Sequence, residues 1–252
     1  MHWKCKADGF MLEGGLGMKI DPEACIGCGN CVPYCPVGAI TMRDGISEID
    51  FDECAECGNC LRNAHCPTEA IYQQELVYPR TIRSLMSDVL TIAEESQISG
   101  RGTEEMKTNE LTGRFKLGEA GVAIEVGRPC LGARLYDVEK IAMAVAKLGV
   151  TFERQNPTTS MMADTATGKF KDDLLNEKVL SAIIEFGVKL EQLPELFAIL
   201  REVAEQIETV FSLDLATKIA PDGSAPTDPY VEQAGLWIAE NGKTNVGLGR
   251  RN

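Results

Sequence analysis

Hydrophobic residues in the carboxy-terminal half of the chain fall into two rhythms. Val122, Ile124 and Val126 alternate, which predicts a strand over 121–127. Val138, Ile141, Ala142, Val145 and Leu148 share one helix face over 135–148, with Asp137 near the start and Gly149 as the stop. Residues 150–153 alternate again. Leu175, Val179, Ala182, Ile183 and Phe186 predict a further helix stopped by Gly187, and 188–191 a short strand. Pro194 suits the first turn of a helix that runs on through Leu196, Ile199, Leu200, Val203 and Ile207. Phe211, Leu213, Leu215 and Ile219 then alternate with Val210, Ser212, Asp214 and Lys218, a strand. The order β-α-β-(α)-β-α-β predicts a sandwich with helices on one face of a mostly antiparallel sheet.

The amino-terminal third lacks this periodicity. Its apolar fragments at 39–42 and 70–72 read as short strands. Pro79 marks an exit, after which Ile82, Leu85, Met86, Val89, Ile92 and Ala93 fit one face of a helix over 80–95. Residues 96–119 are polar and aperiodic, a linker whose Gly100-Arg101-Gly102-Thr103 offers N–H groups and a cation to a partner or ligand. No Gly-Lys-Ser/Thr follows, so this is not a phosphate loop. A Pro/Gly-rich tail surrounds one amphipathic candidate at 230–240 with Trp237 and Ile238. The expected divisions are 1–78, 79–118, 119–220 and 221–252.

Composition narrows the classes. The 252 residues are 44% hydrophobic, enough for a small module and one conventional core. The most apolar stretch, 141–150, is broken by Lys147 and falls short of the roughly 18 residues of a membrane span. A net charge of −13 argues against nucleic acid and suits a partner with a basic docking surface. Ten cysteines, and no apolar run after Met1-His2-Trp3-Lys4-Cys5-Lys6, predict a reducing, cytoplasmic compartment.

Eight of those cysteines lie between Cys25 and Cys66. They read C-x2-C-x2-C-x3-C-P (Cys25, Cys28, Cys31, Cys35, Pro36) and C-x2-C-x2-C-x5-C-P (Cys54, Cys57, Cys60, Cys66, Pro67). The second set repeats the first at an offset of 29, which becomes 31 after the two-residue insertion before Cys66, and the repeat extends to Ile20-Asp21 with Ile49-Asp50, Gly29-Asn30 with Gly58-Asn59, and Ala39-Ile40 with Ala70-Ile71. Paired C-x2-C steps also bind zinc, but zinc needs neither the third step nor the trailing C-P. Disulfides do not fit a reducing compartment. Cys5 beside His2 reads as a free thiol, and His65 as a loop histidine that stands next to a ligand position.

Residues 18–75 resemble the bacterial-type ferredoxin module that holds two [4Fe–4S] clusters. The resemblance implies that Cys25, Cys28, Cys31 and Cys66 hold one cluster, and Cys54, Cys57, Cys60 and Cys35 the other. Gly27, Gly29 and Gly58 then let backbone N–H groups approach the sulfurs, and Pro36 and Pro67 turn the chain away. The five residues from Leu61 to His65 exceed the usual three and add a bulge. Without the helix near 173–186, the second part is similar in topology to the βαββαβ ACT-like domains, which implies an α+β sandwich with an inserted helix, a ligand edge or a homodimer. Its 127–134 loop brings Arg128, Cys130 and Arg134 to a helix start, a candidate anion or ligand site.

No nucleophile–base pair or nucleotide motif accompanies these cysteines. The expected function is therefore single-electron relay, as a subunit or dedicated partner of a larger oxidoreductase. The alternatives are a redox-linked small-ligand sensor and an enzyme built on Cys130.

Overall fold

The computed structural model describes residues 16–92, 113–128 and 131–238. Cys5, Gly100-Arg101-Gly102-Thr103, Cys130 and the chain end from 239 lie outside the described residues.

Four short strands frame the amino-terminal module: β1 (Met18–Ile20), β2 (Ile40–Arg43), β3 (Ile46–Ile49) and β4 (Ile71–Gln73). They pair crosswise. The strand before the first cysteine run, β1, is antiparallel to β4, which follows the second run; β2, after the first run, pairs with β3, before the second. Ile20 stands opposite Ile71, and its repeat mate Ile49 opposite Ile40. The flanking bonds repeat as well: Asp21 N–H donates to the Ala70 carbonyl and Asp50 N–H to that of Ala39, each at 2.8 Å. The core inside this frame is small, with Met18, Ala39, Ile40, Ala64 and Ile71 packed among Cys31, Cys54 and Cys60.

The halves differ where their lengths differ. Val32–Tyr34 forms a 3-10 turn in the first, whereas α1 (Asn59–Asn63) is a full turn in the second. The two extra residues before Cys66 make room for that turn, which ends at Asn63; His65 beyond it takes a left-handed φ of 49°.

Helix α2 (Thr81–Ser87) is shorter than the 80–95 expected. The chain turns extended at Asp88, whose carboxylate accepts from Leu90 N–H and from both terminal nitrogens of Arg62. Val89 and Leu90 are left exposed.

The larger core is built on β5 (Glu119–Val126), the middle strand of an antiparallel sheet in the order β10-β5-β11, with β10 at Ala182–Lys189 and β11 at Phe211–Thr217. Helices α3 (Leu135–Ala146) and α4 (Leu193–Ala204) bury Leu135, Val138, Ile141, Leu196 and Leu200 in one cluster with Val122, Ile124, Ile184 and Phe186. Two small ladders edge this core: β6 (Ala133–Arg134) with β9 (Lys178–Val179), and β7 (Met162–Asp164) with β8 (Lys169–Phe170). The fold class is α+β. Among the described residues no helix is long and apolar enough to cross a membrane.

Here the expected inserted helix is corrected. Residues 175–186 satisfy a helical period, but Ala182, Ile184, Phe186 and Val188 also satisfy a period of two, and those four are the buried hydrophobic residues of β10. β5 offers a full-length edge, from Ala182 opposite Val126 to Lys189 opposite Glu119, and that pairing decides the conformation. Gly187 is not a helix stop; it lies in β10, where an added Cβ would sit 3.3 Å from the Phe115 ring. The expected strand at 188–191 divides into the end of β10 and a 3-10 turn over Leu190–Gln192. The one at 150–153 contributes only a bridge from Phe152 to Phe186, so the fourth strand of the βαββαβ order is not formed. In the tail, α5 (Asp228–Gln233) starts before the 230–240 candidate and leaves Trp237 82% exposed.

Charged side chains join the two parts. Arg80 and Arg83 are buried on one side of α2, while Met86 enters the larger core and Ser87 Oγ accepts from Leu180 N–H. Arg83 donates to the Asp52 and Cys54 carbonyls at 2.6 and 2.8 Å, and its Nε lies 2.5 Å from Glu177 in the other part. Arg134 and Lys178 reach back to Asp52 and Glu53. The bond from Arg134 holds the Asp52 carboxyl below its ordinary range, and that from Lys178 does so for Glu53.

These two sets differ in burial, so their removal should differ in cost. Glu177→Ala strands a buried guanidinium and should destabilise by about 3–5 kcal/mol. Arg134→Ala frees carboxylates already in solvent and should cost about 1 kcal/mol or less. Anaerobic thermal unfolding followed by circular dichroism checks the ranking; equal drops in midpoint would sink it.

Candidate metal centre

The crossed strands place each cysteine run beside the closing cysteine of the other. One cavity is lined by Cys25, Cys28, Cys31 and Cys66, with Ile20, Ile26, Ala70 and Ile71. A second is lined by Cys35, Cys54, Cys57 and Cys60, with Met18, Val37, Ile40 and Ile49. None of the eight thiols is in a disulfide. His65 is exposed and lines neither cavity.

Backbone donors point at the sulfurs. Ala39 N–H lies 3.1 Å from Cys35 Sγ, and its repeat mate Ala70 N–H lies 3.3 Å from Cys66 Sγ. Gly27 and Gly58 both take left-handed φ values, 68° and 65°. At Gly27 an added Cβ would stand 1.9 Å from the Gly45 carbonyl oxygen, so no side chain fits there. Asn59 Nδ2 donates to the Tyr34 carbonyl and ties the two runs together.

The environments of the two cavities differ. Cys28 is exposed and Cys25 half-buried, beside an Ile26 that is 65% exposed. Cys54 and Cys60 are buried, and burial pushes both thiols up to about 12. Burial also raises Cys57. At Cys66 burial again pushes upward, but hydrogen bonds from Thr68, Ala70 and Ile71 outweigh it and hold the thiol below its usual value. Burial disfavours free thiolates in the second cavity, and a metal group bonded to the sulfurs would supply the positive charge that keeps them ionised. Four soft sulfur donors, an apolar lining and N–H groups on sulfur fit an iron–sulfur cluster.

Sequence reading located all eight thiols and missed what surrounds them. Glu56, between Cys54 and Cys57, is fully buried at a left-handed φ of 53°. Arg62 on α1 donates to the Cys57 carbonyl and pairs with Asp88. No spacing rule marks either residue. In the 127–134 loop, Arg134 pairs with Asp52 and Glu53 and donates to the Asn176 carbonyl, and Arg128 lies beside Glu125; Cys130 of the expected anion site lies outside the described residues.

The frame and its thiols define a ferredoxin-type iron–sulfur module. Residues 18–41 match the 4Fe-4S binding domain family, and no family is matched by the remainder of the chain. The chain is similar to ferredoxin-1 of Rhodobacter capsulatus, 50% identical over 37 residues, which cover 15% of this chain and 57% of that one. It is similar to the ferredoxin-like protein in the vnf region of Azotobacter chroococcum, 46% identical over 37 residues, 15% and 57% of the two chains. It also resembles a heterodisulfide reductase subunit-like protein of Archaeoglobus profundus, 56% identical over 36 residues, 14% of this chain and 5% of that one. The chain thus spans little over half the length of the ferredoxins it matches. No solved structure matches it. Over residues 18–41 it carries a ferredoxin-type 4Fe-4S binding domain.

The close approach at Gly27 gives a direct test. Gly27→Ala should cost the first cavity its metal and lower iron per chain, with Cys54–Cys60 unaffected; a variant with undiminished iron would show that the contact with Gly45 is not needed.

Proposed function

We propose that this chain relays single electrons through two [4Fe–4S] clusters, as a subunit or dedicated redox partner of a larger oxidoreductase. The observation that carries the reading is the thiol distribution. Each cavity is lined by four cysteines, three from one run and one from the other. This supports Cys25, Cys28, Cys31 and Cys66 as one ligand set and Cys54, Cys57, Cys60 and Cys35 as the other. The match to a heterodisulfide reductase subunit-like protein supports placement within a larger assembly.

A bound cluster supplies a one-electron couple, usually at low potential when all ligands are thiolates. The chain does the rest. Its eight thiols fix the two groups inside one module. Ala39 and Ala70 N–H groups donate to Cys35 and Cys66, withdrawing charge from sulfur. Ile40, Ile49 and Ile71 keep water from the inner faces. Cys28 and Ile26 leave one edge of the first set open for a partner. The larger part, joined through Arg83 and Glu177, is the docking unit of this reading.

Anaerobic purification from the native source, with co-eluting chains identified, tests the partner role; isolation as a lone chain that exchanges electrons with no protein of that source would overturn it. Iron and sulfide of the same sample should each be about eight per chain, and values near four would refute two clusters. The crossed ligand sets have their own signature. Cys66→Ala should perturb the same cluster signal as Cys28→Ala, and Cys35→Ala the same signal as Cys57→Ala, by electron paramagnetic resonance of the reduced protein. Pairing of Cys66 with Cys57 would reverse the assignment.

A further inference from the structure

The repeat at an offset of 29 sets Glu56 where the first half has Gly27. Both residues are left-handed, at φ 53° and 68°, so the backbone is shared and the side chain is the difference. That side chain is fully buried. Its two oxygens accept from Met18 N–H at 3.2 and 3.0 Å, Oε2 from Gln73 Nε2 at 2.9 Å and Oε1 from Arg80 Nε at 2.8 Å. Arg80, itself buried, stacks on the Phe51 ring 3.5 Å from its centre. Gly17 makes room: a Cβ there would meet Glu56 Oε1 at 2.5 Å. A glycine would satisfy the left-handed turn with no buried charge. The second half instead fixes a carboxylate between two cysteines, with four residues arranged to hold it.

We infer that Glu56 is a potential-setting residue, which holds the one-electron couple of the cluster at Cys35, Cys54, Cys57 and Cys60 below that of the cluster at Cys25, Cys28, Cys31 and Cys66. This rests on the two-cluster reading above. Reduction adds one negative charge to a cluster, and a fixed carboxylate nearby in low dielectric opposes it. Arg80 pairs with this carboxylate from the start of α2, outside the ligand loop, whereas Glu56 lies between two of the ligand cysteines. Burial of Cys54 and Cys60 acts in the same direction as Glu56, since a dry site disfavours the more charged, reduced state. An electron supplied by a low-potential reductant therefore settles in the first cavity, where Cys28 meets solvent, and leaves from there to the oxidised partner.

Glu56→Gln keeps the shape and one acceptor oxygen and removes the charge. Anaerobic dithionite titration monitored by electron paramagnetic resonance, with iron counted in the same samples, reads the outcome. One midpoint should rise by the equivalent of at least a tenfold change in the reduced-to-oxidised ratio, about 59 mV for one electron. The other should stay. Unmoved or lowered midpoints with about eight iron retained overturn the role of Glu56 and leave the two clusters standing; about four iron in the unaltered protein overturns both. If the variant does not retain iron, the unaltered protein decides. Cys57→Ser marks the signal of the second set, and that signal must own the more negative midpoint; ownership by the other set overturns the inference.

Discussion

Crossed strand pairing is the constraint from which the module follows. Because β1 pairs with β4 and β2 with β3, the start of each half lies against the end of the other. Beside that frame, Cys66 lines one cavity with Cys25, Cys28 and Cys31, and Cys35 lines the other with Cys54, Cys57 and Cys60. So small a core has little else to hold it. The thiols and whatever they bind supply the cross-links that a larger core would otherwise make unnecessary.

A second constraint operates where the module meets the rest of the chain. Arg83 touches two carbonyls of the Cys54 loop and a carboxylate of the larger part, all out of solvent. A cation so placed fixes the two parts in one orientation, since either part alone leaves it with unmatched partners. Arg134 and Lys178 add contacts at the rim, where solvent shares their partners. The module is thus seated by one buried contact and trimmed by exposed ones.

How much of this was legible varies with the physics behind each element. The thiols were legible because metal ligation fixes residue type and spacing together. The strands at 39–42 and 70–72 were legible through the repeat. β5, α3, α4 and β11 followed from unambiguous periods. β10 did not, because Val179, Ala182, Ile183 and Phe186 satisfy a helix as well as a strand, and only the edge of β5 decides between them. The end of α2 was hidden for a similar reason: Val89 and Ile92 continue the apolar rhythm, but Asp88 is captured by Arg62 from a distant turn. Glu56 left no trace in the pattern, since a charged residue inside a cysteine run looks like a surface residue until its burial is seen.

The contact between Gly27 and the Gly45 carbonyl has a bearing on descent. If the two halves arose by duplication of one ancestral unit, they were not equally free to change afterwards. The earlier copy is barred from any side chain at this point by its own neighbouring turn, whereas the later copy had room to acquire one. Novelty at this position could accumulate on one side alone, which makes the lopsidedness of the pair a lasting inheritance.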